Sequence, residues 1–270
     1  MNKIILEQDK IKTIKIKDNI TYEQEFNEIL GVTQLKIYIN EDSNLELNYD
    51  FDEKTKIETQ IYIEKNITAK ILEKLEGKEG KIRTKYYLKE NSNIKVSKFN
   101  DVKKLNEYII INLDGEKSKI DYNLKTIATT KENYDILTYH NKNNTISSIN
   151  ANGICIKNGF IKFDVSSFIP KGIKGCDAGQ NNKIINLTDN ECIIKPNLYI
   201  DEYDVTANHS AWIGNFNEQE LFYIMSRGIS ESDATKLLIK GFLTCNLDLE
   251  EKELEKITKK INKYWRWNLE

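Results

Sequence analysis

From about Leu35 to Ile200 the chain is almost entirely a succession of short segments in which apolar and polar residues alternate. LKIYI places Leu35, Ile37 and Ile39 on one side, and LELNYDF does the same with Leu45, Leu47, Tyr49 and Phe51. IETQIYI, YIIINL, KIDYNL, YDILTYH, TISSI, FIKFDV and KIINL continue the series. A period of two with β-branched and aromatic residues is the signature of strands with one covered face. Asn, Asp, Lys and Gly fill the intervals, as turns require. Only two prolines occur in 270 residues, so little interrupts backbone pairing. These constraints select a mainly β fold.

Spacing narrows the architecture. Segments centred near Thr84, Ile110, Ile136 and Lys162 recur every 26 residues, and a second series near Lys95, Asp121 and Ser147 has the same step. Two strands per repeat is the rhythm of a parallel β-helix, in which each coil covers its neighbour. A β-sandwich remains compatible with the same spacing. Two segments break the pattern: YEQEFNEILG (Tyr22 to Gly31) reads as a short N-terminal helix. ITAKILEKLEG (Ile67 to Gly77) reads as either helix or strand, both segments ending in glycine.

After Gly214 the period becomes helical. Asn217 is placed to cap EQELFYIMSR, with Gly228 as its stop, and Ser230 to cap ESDATKLLIK, with Asp233 three residues on and Gly241 as the end. A third helix is expected from Asp248, with Glu251 in the capping-box position and Leu254, Ile257, Ile261 and Trp265 on one stripe. The expected division is a β unit over residues 1–216, with a short N-terminal cap, and a helical unit over 217–270.

Forty basic and 42 acidic residues leave a net charge of −2, which gives no reason to expect a nucleic-acid partner. No apolar run approaches the roughly 18 residues of a membrane span, and the start, MNKIILEQDKIKTIK, lacks the form of a signal peptide. A cytoplasmic protein without membrane contact is the expectation. There is no GxxxxGK[ST] loop, so ATP is not expected to bind. Cys155, Cys176, Cys192 and Cys245 form no CxxC pair and no zinc spacing, and they read as small buried residues or idle thiols rather than a disulfide framework. His140, ending YDILTYH, reads as a surface or coil-edge residue. His209, the other histidine, stands where strands hand over to helices.

Three stretches resemble one family. GCDAGQNNKIINL (Gly175 to Leu187), KPNLYIDEYDVTANHSAWIG (Lys195 to Gly214) and ELFYIMSRGIS…A…LLIKGF (Glu220 to Phe242) are similar, in order and spacing, to the SufB/SufD scaffolds of SUF iron–sulfur cluster assembly. The resemblance covers roughly Thr138 to Phe242. The first 130 residues share only the strand pattern and are shorter than usual. It implies a right-handed parallel β-helix with a C-terminal helical domain. It also implies pairing of SufB with SufD through the ends of their β-helices, and docking of SufC, an ABC-type ATPase, on the C-terminal helices. A cluster or iron would be held transiently at the SufB–SufD interface.

Carried over residue by residue, the resemblance makes the chain SufD-like. SufB's interfacial cysteine would fall on Ile200 and its glutamate on Ser210, whereas the histidine contributed by SufD is present as His209. Some SufD relatives have a cysteine where this chain has Ala207. Imidazole can ligate iron or carry a proton, but one histidine does not hold a cluster, so the remaining ligands would come from a partner chain. Cys176 is a second candidate for metal or sulfur. Phe222, Tyr223, Arg227, Gly228, Leu237, Leu238, Gly241 and Phe242 are candidates for contacting the ATPase. The partner at the open end would be a SufB-like paralogue or a second copy of this chain. A carbohydrate-active enzyme using Asp201, Glu202 and Asp204 is the reading from another class, although alternation divides these carboxylates between faces.

Overall fold

The computed structural model describes residues 2–7, 10–15, 20–27, 29–247 and 251–266. Its strands are β1 (Asn2–Glu7), β2 (Lys10–Lys15), β3 (Ile20–Asn27), β4 (Val32–Ile39), β5 (Ser43–Ile63), β6 (Thr68–Leu88) and β7 (Asn93–Leu113). Then come β8 (Lys119–Ala128), β9 (Lys131–His140), β10 (Ile146–Cys155), β11 (Phe160–Ile169), β12 (Cys176–Asn186), β13 (Ile193–Ile200) and β14 (Val205–Gly214). The helices are α1 (Glu218–Met225), α2 (Glu231–Thr244) and α3 (Glu251–Arg266).

The alternation becomes a parallel solenoid of about seven turns. One face stacks β1, the first halves of β5, β6 and β7, and then β8, β10, β12 and β14. The other stacks β4, the second halves of β5, β6 and β7, and then β9, β11 and β13. Antiparallel pairing occurs at the N-terminal end, where β2 lies on β1 and β3 on β4. The 26-residue step is correct for Lys95 beside Asp121, but Ile136 lies beside Val165, not Lys162. Coils lengthen toward the C-terminus, and β10 pairs with β12 at Ile146–Asp177, a step of 31.

The corner after each long coil is fixed by a residue with positive φ. Asn66, Asn91, Lys117, Asn144 and Gly175 take this role in successive coils, with φ between 55° and 67°. Each N–H of this series bonds a carbonyl of the next coil, as Asn66 does with Glu90 and Asn144 with Lys174. Asparagine and glycine tolerate this conformation best, which accounts for the turn composition. On the outside of the second face, Tyr38, Tyr62 and Tyr87 form one stack, and Tyr139, Phe168 and Tyr199 another, at centroid spacings of 4.7–5.0 Å. Asn112 occupies the rung between them.

Both segments that broke the alternation are strands. Tyr22–Gly31 is not a helix: Ile20–Asn27 pairs antiparallel with β4, and Gly31, with φ 57°, closes the connecting turn. The available partner strand satisfies the backbone that a short, largely exposed helix would leave to water. Ile67–Gly77 opens β6, with Ile71, Glu73 and Leu75 facing inward. Gly77 is no helix stop, because a Cβ there would lie 2.3 Å from the Phe51 ring. His140 is not a surface residue either. It is fully buried, with Nδ1 2.8 Å from Thr145 Oγ1 and Nε2 3.0 Å from Ser147 Oγ, and burial pulls its pKa down to about 4.

The interior is not wholly apolar. Lys98 is completely buried, its Nζ 2.7 Å from Glu73 Oε2 and paired also with Glu107. Tyr86 donates to Glu73, Asn100 donates to Glu107 at 2.9 Å and to the Tyr134 hydroxyl at 3.1 Å. The Tyr134 and Thr126 hydroxyls both donate to Glu132 Oε2, at 2.7 and 2.6 Å. Burial would neutralise Lys98, but the carboxylates of Glu107 and Glu73 outweigh it and hold its pKa well above the ordinary lysine value.

Among the described residues no cation pairs with Glu132, and burial pushes its carboxyl up to about 8 against the two hydroxyl donors. The folded chain therefore keeps a proton that the unfolded chain releases near 4.5. That contribution is complete below the unfolded value and is lost as pH rises through the folded one. Denaturant titrations between about pH 5 and pH 8 should show it decline by about 4 kcal/mol, at roughly 1.4 kcal/mol per unit. Glu132→Gln should flatten this part of the profile, and identical pH dependence in variant and parent would refute the assignment.

The C-terminal helices lie on the first face. Outward-facing Ile127, Ile154 and Ile185 occupy successive coils, and Ile239, Leu243, Ile257 and Ile261 cover them in one cluster with Phe99. Asn217 caps α1, its Oδ1 accepting from the Gln219 N–H at 2.9 Å, and Gly228, with φ 83°, follows the helix end. Ser230 caps α2 through the Asp233 N–H. Gly241 does not end α2, which runs on through Thr244 with the Cys245 N–H bonded to the Gly241 carbonyl. Asp248 lies outside the described residues, as does the side chain of Trp265, while Glu251 begins α3.

Candidate functional site

The solenoid ends in two strands that have no further coil above them. Among the described residues β14 pairs only with β12 and β13 only with β11, so each presents a backbone edge that no described strand covers. Interior positions of this last coil, among them Pro196, Leu198 and Ala207, are half-buried rather than buried. Ile193, Tyr199, Tyr203, Trp212 and Ile213 are exposed nearby. A long open edge bordered by apolar side chains is a template for strand pairing with another chain.

His209 belongs to this end. In register, Leu45, Ile71, Val96, Tyr122, Ile149 and Gln180 form one inward-facing column through six coils, and His209 is its last member. Gln180 beneath it is buried, donating from Nε2 to Ser167 Oγ at 2.9 Å and to the Asn197 carbonyl at 3.1 Å. His209 itself is exposed, because no coil follows to cover it. The position that holds a core residue lower in the stack thus holds an accessible imidazole at the top.

Cys176 is not brought to it. It begins β12, buried against Ile169 and Ala178, and its Sγ lies 3.2 Å from Thr145 Oγ1. Register places it beside Val205, four residues along β14 from His209, or about 13 Å of strand. Among the described residues, no three His, Cys, Asp or Glu side chains converge on a point where a metal ion could be held. Ile200 packs into the small cluster around Cys176, and Ser210 Oγ donates to Asn181 Oδ1 at 2.8 Å. Glu202 does not face a substrate cleft: it accepts from the backbone N–H groups of Gly172 and Tyr203, both at 2.9 Å, and braces the turn.

The helical candidates form a different surface. Phe222, Tyr223 and Leu237 are exposed, Phe222 at 73% and Leu237 at 52%. Arg227 lies over the Tyr223 ring at 5.1 Å and donates from Nη2 to its hydroxyl at 2.9 Å. Leu238, Gly241 and Phe242 line a groove of ≈ 640 Å³ with Trp212, Phe216 and Glu220, between the helices and the end of the β body. Sequence parity would have found the buried Glu73, Lys98 and Glu107, since they occupy inward positions of their strands. The approach of Cys155 to Cys192, 37 residues apart, had no local signal.

A family model described as SUF system FeS cluster assembly, SufBD core domain, matches residues 32–242. The chain belongs to the SufBD family. Among curated relatives, iron–sulfur cluster assembly protein SufD of Bacillus subtilis is 36% identical over 100 residues, covering 34% of this chain and 23% of that protein. SufD of Escherichia coli is 29% identical over 138 residues, covering 48% of this chain and 31% of that protein. A SufBD family protein of Pyrococcus horikoshii is 52% identical over 44 residues, covering 16% of this chain and 9% of that protein. The chain therefore matches less than a third of the length of each of these relatives. Within the family it is SufD-like. No described helix is long and apolar enough to cross a membrane.

Proposed function

We propose that this chain is a SufD-like scaffold in iron–sulfur cluster assembly, working without catalytic residues of its own. A SufB-like subunit pairs with the open edges of β13 and β14, and the cluster or its iron is cargo handled between the two chains. His209 supplies one ligand or proton carrier, and the partner supplies thiolate or carboxylate. The observation that carries this reading is the exposed imidazole ending an inward column at an uncapped coil. Imidazole nitrogen suits iron, and the surrounding apolar residues are those an edge-to-edge interface would cover.

The helices α1 and α2 are the docking surface for a SufC-like ABC ATPase, which supplies ATP hydrolysis. The exposed aromatic and leucine side chains there match the residues that anchor protein interfaces. Deleting the helices would uncover Ile127, Ile154 and Ile185, so loss of binding after truncation would be ambiguous. Phe222→Asp combined with Leu237→Asp leaves that core intact. Capture of the ATPase should fall by at least about tenfold, since each lost anchor is worth about 1–2 kcal/mol or more. The melting temperature should hold. Undiminished capture by the double variant would refute the docking assignment.

A further inference from the structure

Cys155 and Cys192 are a thiol pair that the proposed role does not use. Cys155 ends β10 and points into the core, completely buried, whereas Cys192 immediately precedes β13 and is half-buried. Their Sγ atoms are 3.2 Å apart across 37 residues of chain. A disulfide needs about 2.05 Å, so closure requires the two atoms to approach by only about 1 Å. We propose that Cys155 and Cys192 form a redox-active dithiol whose substrate is a low-molecular-weight disulfide, and that its oxidised form is a bridge across the last two coils.

The two thiols are chemically unequal. The hydrogen bond from Cys155 draws the Cys192 pKa down to about 7, opposed by burial and helped by the backbone at Ile161. The same bond raises the Cys155 pKa, as do its burial and the nearby Glu132. Cys192 is also the more accessible, so it is the attacking group. Its thiolate displaces one thiolate from the disulfide RSSR, giving Cys192–S–S–R. Cys155 then gives up its proton and attacks the Cys192 sulfur, releasing the second thiolate. The two protons originally on the cysteines end on two RSH, and the two electrons of the dithiol have reduced RSSR. The product ties the end of β10 to the start of β13, the edge strand of the open coil.

The test uses the full folded chain and oxidised glutathione. Free thiols, counted after denaturation without reductant, should fall from four to two, and peptide mapping should link Cys155 to Cys192. The melting temperature should rise on oxidation and return with dithiothreitol. Cys155→Ser should stop at one glutathione on Cys192, and Cys192→Ser should form no internal bridge. Four retained thiols in the folded parent, a bridge using Cys176 or Cys245, or a bridge that forms only after denaturation would each overturn the proposal.

Discussion

Lys98→Ala is expected to lower stability by about 3–5 kcal/mol, because it leaves Glu73 and Glu107 buried without their cation. A lysine truncated at the surface costs a fraction of that. Here Lys98 has no exposed area, and two carboxylates depend on it. The urea midpoint would report the loss directly. Combining Lys98→Met with Glu73→Leu and Glu107→Leu should recover much of it, since an apolar replacement removes the charges together with their desolvation cost. A loss below about 1 kcal/mol in the single variant would mean that water reaches the cluster and screens it.

His209→Ala should reduce cluster assembly on the reconstituted scaffold to the level of the partner alone, while stability changes by no more than about 0.5 kcal/mol. The two halves of this expectation have separate physical grounds. His209 is exposed, so its removal opens no cavity and strands no buried donor. As a ligand or proton carrier it acts alone or with a partner chain, since among the described residues no group of three His, Cys, Asp or Glu side chains converges on it. A His209→Ala chain that folds, pairs and yields normal clusters would remove the imidazole from the proposed role. A large drop in melting temperature with normal cluster yield would assign it to the fold instead.

Much of this fold is legible in parity. Once Leu35, Ile37 and Ile39 are taken as inward, the same alternation predicts the covered face of nearly every later strand. Parity left Ile67–Gly77 open between helix and strand, because Glu73 is a charged residue at an inward position and its partners Lys98 and Glu107 are on later coils. A single stretch cannot show that compensation, so helical spacing competed with the strand reading. Tyr22–Gly31 failed for a related reason: its backbone partner is β4, and local pattern says nothing about which strand is free to receive it.

The period was harder to read than the parity. Coils that step by 24 to 26 residues near the N-terminus step by 29 to 31 near the C-terminus, and the additional residues lie in corners. A fixed 26-residue repeat therefore misses the register at each step of the first series: Thr84 lies beside Ile109, Ile110 beside Leu137 and Ile136 beside Val165. His209 was singled out by resemblance, whereas its meaning comes from register. Only the pairing of β12 with β14 shows that it continues the column of Gln180 and Ile149.

In a solenoid each coil touches only its neighbours, so unfolding normally starts at either end and proceeds rung by rung. The contact of Ile239, Leu243, Ile257 and Ile261 with Ile127, Ile154 and Ile185 breaks that symmetry. It straps three successive coils of the first face together, and β8, β10 and β12 cannot separate one at a time without detaching the helices. Among the described residues no such strap crosses the coils of β5 and β6. Amide exchange should therefore spread from the N-terminal end inward, and the C-terminal coils should open together as one cooperative block.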